Sequence, residues 1–309
     1  MELKEFTEKM KEVMESCLEG IEITVKCTTK NNGLQMIGLE FKGNSNIAPV
    51  IYMNTYYEAF CDGYTIEELT KHLIEEYRTN KSDINVNVMS LIDFENAKSR
   101  ITYKLINYEM NKGMLSELPH VRYLDLAKIY VINLHAEEYA SSEIKIHHGF
   151  LQFWNKSIEE IDAIATENTE RMFTAKIISM DDALREIMKK KGVTNIIDEE
   201  IQAWLDDVGS EQTPLYIATN QYGQYGANIM CYKDVIKNFA NSKESDLYII
   251  PSSVHELLLM KTSEKGMDKQ SVKNMVYEVN RSDAIQTDQV LSDNVYLYSR
   301  AKDSIEILK

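Results

Sequence analysis

Residues 214–260 read PLYIATNQYGQYGANIMCYKDVIKNFANSKESDLYIIPSSVHELLLM, and the order of elements in them decides the fold class. The spacing predicts a strand over LYIATN, a turn at Gly223-Gln224-Tyr225-Gly226 and a second strand through ANIMCY. A helix over DVIKNFA follows, then a strand that is broken at Pro251-Ser252-Ser253 and runs on through His255-Glu256. Strands and helices alternate here without the regular length of βαβ units. That pattern predicts an α+β protein with antiparallel-rich mixed sheets and packed helices, and argues against a doubly wound sheet.

Outward from this stretch the same order continues. Leu3, Phe6, Met10, Val13, Met14 and Leu18 keep helical spacing. Asn31-Asn32-Gly33 between IEITVKCTT and LQMIGLEF is a hairpin signal, because both turn residues must reach positive φ. APVIYMN predicts a third strand, and Thr65 with Glu68 forms a capping box ahead of a helix. The segment SLIDFENAKSRITYKLINYE fits either a helix or a helix running into a strand. VRYLDLAKIYVINL is expected as one long strand that SEIKIHH pairs with. Ser157–Glu160 and Ser179–Asp182 cap two further helices, a helix is expected near 268–280, and VYLYS alternates as a strand. A polar stretch near Ser90 divides the chain into a helix-hairpin-strand-helix subdomain over 1–90 and a larger α+β domain over 91–309.

Composition restricts function. The 309 residues are 44% hydrophobic and 27% charged, which suits a globular chain. The net charge of −15 is spread evenly, with 16 Lys+Arg against 23 Asp+Glu in residues 1–150 and 18 against 26 in 151–309. An acidic chain without basic clusters disfavours nucleic acid as a partner. Cys17, Cys27, Cys61 and Cys231 form no CxxC pair, which points to free thiols and a cytoplasmic location. No signal peptide or membrane span is expected, and no cofactor. His147 and His148 are adjacent and no HExxH is present, so no metal site is expected. Gly223 to Gly226 does not fit a phosphate-binding loop, since the expected strands flank it on both sides.

Two segments supply candidate sites. Residues 192–213, GVTNIIDEEIQAWLDDVGSEQT, predict an acidic amphipathic helical insertion with Ile201, Trp204 and Leu205 on one stripe. Trp204 is the candidate anchor for a protein partner. On a strand, Ser253 and His255 would share a face, as a nucleophile and base do. Glu256 lies beside them, and Asp293 or Asp283 is an acid available to orient the imidazole.

The runs PLYIATN, YGANIMCYKDVIKNFA and DLYIIPSSVHELLLM, with MVYEVNRSDAIQTDQVLSDNVYLYSR and ITYKLINYEMNKGMLSELPHVRYLDLAKIY, resemble an uncharacterised family of anaerobic Gram-positive gut bacteria, often encoded on mobile elements. PSSVHE and LSDNVY are its most specific parts, and the resemblance runs from about Ile47 onward. It implies no activity and no site residues. The N-terminal hairpin and the 192–213 segment match it least and look particular to this chain.

The expectation from these features is a non-enzymatic accessory or regulatory protein that binds another macromolecule. The alternatives are an enzyme or small-molecule binder around Ser253, His255 and Glu256, and an acidic inhibitor of a nucleic-acid-binding protein.

Overall fold

The computed structural model describes residues 1–43, 48–80, 92–134, 143–190, 215–263, 269–281 and 285–309. The chain forms two compact units, Met1–Leu91 and Ile92–Lys309.

In the first unit, helix α1 (Leu3–Cys17) precedes a three-stranded antiparallel sheet of β1 (Glu22–Thr29), β2 (Gln35–Lys42) and β3 (Val50–Tyr52). Helices α2 (Asn54–Cys61) and α3 (Ile66–Asn80) follow. The hairpin closes through Asn32 and Gly33, both at positive φ, and sets the register Val25↔Leu39. Phe6, Met10 and Met14 recur every four residues on α1 and bury against Ile23, Leu39, Phe41 and Leu73. The capping box forms as expected: Thr65 N–H donates to Glu68 at 2.9 Å and Glu68 N–H to Thr65 Oγ1 at 3.3 Å.

The second unit holds two antiparallel sheets. The smaller contains β4 (Ile101–Asn107), β5 (His120–Tyr123), β6 (Leu126–Asn133) and β7 (Glu143–Lys145), with β6 pairing all three others. The expected long strand is therefore a hairpin. Leu124 at φ 56° turns the chain between β5 and β6, and the apolar content of the run concealed that turn. Short helix α4 (Phe94–Ala97) leads into β4, α5 (Lys112–Leu115) follows it, and α6 (His148–Trp154) comes after β7. Helix α7 (Ile158–Met172) carries the Ser157–Glu160 capping box and packs on β4 and β6.

The larger sheet has six strands in the order β13-β12-β10-β11-β9-β8. They are β8 (Ala175–Ser179), β9 (Leu215–Asn220), β10 (Leu247–Pro251), β11 (Leu257–Lys261), β12 (Tyr296–Ser299) and β13 (Ser304–Ile307). Helix α8 (Met180–Lys190) follows β8, α9 (Val235–Ser242) precedes β10, and α10 (Lys269–Val279) covers one face through Val272 and Val276. Every strand pairing among the described residues is antiparallel, and the α+β class holds.

Two expected strands take other forms. ANIMCY is a 3₁₀ segment, Gly226–Cys231, so the glycine turn does not join two strands. Residues 252–256 are the loop of the β10–β11 hairpin, closed where Pro251 pairs with Leu257. The alternation that placed Ser253 and His255 on one strand face does not apply to a loop.

Candidate functional site

The hairpin loop 252–256 is held by its own backbone and by three neighbouring segments. Ser253 N–H donates to Glu256 O at 3.2 Å, and His255 N–H donates to Ser253 Oγ at 3.0 Å. Val254 N–H reaches Gln289 O at 2.8 Å, while Ala227 N–H donates to Val254 O at 3.4 Å. Thr219 Oγ1 donates to His255 O at 2.8 Å. Gly226 sits against this bond: a Cβ there would lie 2.0 Å from Thr219 Oγ1 and 2.5 Å from His255 O. Only glycine lets the 3₁₀ segment approach the end of β9 this closely.

The Ser253 hydroxyl thus accepts from a backbone amide, as serine commonly does in turns. The imidazole engages a different group. His255 Nδ1 accepts the Tyr225 N–H at 3.1 Å, and the two rings lie 5.3 Å apart. Glu256 accepts from Ser252 at 3.3 Å, not from His255. Ser253, His255 and Glu256 share one loop, yet among the described residues they do not form a hydroxyl–imidazole–carboxylate relay. Asp293 stands elsewhere, 2.9 Å from both Asn280 Nδ2 and Arg281 NH2. Its carboxyl is held below the usual range: partial burial opposes this, and the bonds from Arg281 and Asn280 outweigh it. Asp283, Ile201, Trp204 and Leu205 lie outside the described residues.

Two neighbours act on His255: Tyr225, just before the 3₁₀ segment, and Lys104 of the smaller sheet. The Asn228 side chain donates to Tyr103 O at 2.9 Å and accepts from Leu105 N–H at 3.0 Å. It closes the free edge of β4 on both sides of Lys104. Tyr225, three residues earlier, is thereby brought over Lys104, whose Nζ lies 3.4 Å from the ring centroid. Lys104 is buried and forms an ion pair with Glu143 of β7. Burial pushes the Lys104 ammonium below its ordinary range, opposed by Glu143. The His255 imidazole is also pushed down, by burial first and then by Lys104, with Asp288 acting the other way.

Because Nδ1 accepts a backbone N–H, the neutral ring carries its proton on Nε2. No group among the described residues bonds Nε2, and Nε2 is not one of the buried polar atoms without a partner. It is therefore a donor without an acceptor among the described residues. Lys104, Glu143 and Tyr225 escaped the sequence reading. The available signal was a lysine inside the apolar run ITYKLIN.

A second polar junction joins the sheets. Asp125, in the β5–β6 turn, accepts from Ser292 Oγ at 2.6 Å, Asn294 Nδ2 at 2.9 Å and Tyr296 OH at 2.8 Å. Three alternate residues of LSDNVY converge on one carboxylate, while Asp293 between them turns to Arg281. Elsewhere, burial raises the Cys231 thiol to about 12. Among the described residues no group of His, Cys, Asp or Glu is placed to hold a metal ion. No described helix is long and apolar enough to cross a membrane.

A model described as "Family of unknown function (DUF5688)" matches residues 3–300, and the chain belongs to that family. The matched span starts ahead of the N-terminal hairpin and runs past residues 192–213. No match was found among curated proteins or among solved structures.

Proposed function

We propose that this member of the DUF5688 family binds a small polar molecule at the cluster of Lys104, Glu143, Tyr225 and His255. The carrying observation is the half-buried imidazole whose Nε2–H has no described protein partner, beside a lysine kept in a buried ion pair. A buried ion pair gives little net stability over apolar residues of similar volume. Lys104 and Glu143 are therefore better explained by what they present to a ligand than by what they give the fold. Tyr225 adds an aromatic edge and Ser252 and Glu256 a polar rim, the mix of apolar wall and few directed polar groups that ligand sites use.

A thermal-shift screen of the full chain against a panel of polar metabolites tests this. Ligands that raise the melting temperature of wild type are expected to lose that effect in Lys104→Met and in His255→Phe. A panel without a single responder, or responders unaffected by both variants, contradicts the proposal.

A further inference from the structure

Resting on that reading, we infer that the site takes its ligand through a carbonyl or carboxyl oxygen, which accepts a hydrogen bond from Nε2–H of a neutral His255. A backbone N–H is always a donor, so the 3.1 Å contact from Tyr225 commits Nδ1 to accepting. The remaining proton stays on Nε2 for as long as this bond persists. An imidazole in this state cannot give Nε2 to a metal ion, because that nitrogen has no lone pair to offer. It cannot take a proton there either. It can only donate, and a neutral imidazole held by a backbone amide is suited to polarising a carbonyl oxygen.

The surroundings keep the ring in this state. Lys104 on β4 faces it as a cation, while Asp288 in the 287–289 turn acts in the opposite sense. Tyr225 contacts both Lys104 and the imidazole. Lys104 and Glu143 stay paired beside the ring as charged groups of the same site. The directed donor for the ligand oxygen is Nε2–H. The oxygen that accepts it belongs to a ketone, an amide or a carboxyl group.

The test uses backbone amide signals of Tyr225, Gly226 and His255 in the isotope-labelled full chain near neutral pH. N-methylacetamide and zinc chloride are the two probes, titrated separately. N-methylacetamide is expected to shift these signals in wild type, and zinc to leave them in place. Glutamine retains an N–H donor at this reach, so His255→Gln is expected to keep the Tyr225 and Gly226 response and His255→Phe to lose it. Zinc-induced shifts confined to these amides, or an amide-probe response undiminished in His255→Phe, overturn the inference. Metabolites that respond in the screen above, depend on Lys104 and His255, yet carry no carbonyl or carboxyl oxygen would also overturn it, and would leave the binding site standing. Silence of these amides to N-methylacetamide, with no responding metabolite, defeats both.

Discussion

Gly226 is the residue on which the site's geometry is most sensitive. A methyl group there would drive into Thr219 Oγ1 and the His255 carbonyl. Gly226→Ala is expected to destabilise the protein by about 1–3 kcal/mol, the usual cost of overpacking, and to disturb the Tyr225–His255 bond. Chemical denaturation measures the first effect and the His255 ring signals the second. Two aspartates give a sharp contrast. Asp125→Ala leaves Ser292, Asn294 and Tyr296 without their common acceptor and is expected to cost about 3 kcal/mol or more, since each bond to a carboxylate is worth ~1.5–3 kcal/mol. Asp293→Ala removes a surface pair with Arg281 and is expected to cost at most about 1 kcal/mol. Equal losses would show that the convergence on Asp125 has been misread. Sequence singled out LSDNVY but could not say which of its polar residues turns inward. In a segment that is not a regular strand, the direction of each side chain depends on contacts far along the chain. Asp125 lies 167 residues from Ser292.

At the level of elements, local chemistry was legible and long-range pairing was not. The capping boxes at Thr65 and Ser157 and the Asn-Gly hairpin depend on residues a few positions apart, and each formed where expected. The 3₁₀ segment Gly226–Cys231 failed because its apolar run fits a strand as well as a buried turn. Its course is set by Asn228, which replaces a neighbouring strand at the edge of β4. Helix α7 does the same further along: Asn168 donates to Ile101 O at 2.9 Å and Thr169 Oγ1 accepts Tyr103 N–H at 3.0 Å. Side chains thus complete an edge that would otherwise be open to another strand. Asn228→Ala strips two buried backbone groups of their partners and is expected to cost about 2–4 kcal/mol, with faster amide exchange at Leu105. Exchange at Leu105 unchanged from wild type would contradict this role. His255 itself was picked out by sequence for the wrong geometry. The loop brought it to a backbone amide of a distant turn, and the partner expected beside it, Ser253, is used to shape that loop.

For the whole molecule, the family match spans both units, while the His255 site lies within Ile92–Lys309. Trp154 is buried in that unit, so its fluorescence reports on that unit's unfolding. The lowered His255 titration fixes the sign of one pH effect. The unfolded chain takes up a proton near the ordinary histidine value of about 6.5, and the folded chain only at lower pH. The stability that His255 contributes is therefore complete above that value and is lost as pH falls through the folded one. The difference in unfolding free energy between wild type and His255→Gln is expected to be flat above about pH 6.5 and to turn against wild type below it. Ring-nitrogen NMR of the free full chain near neutral pH reports which nitrogen of His255 carries the proton. The structure predicts a protonated Nε2 and a bare Nδ1. A proton on Nδ1, or a doubly protonated ring, would contradict the account.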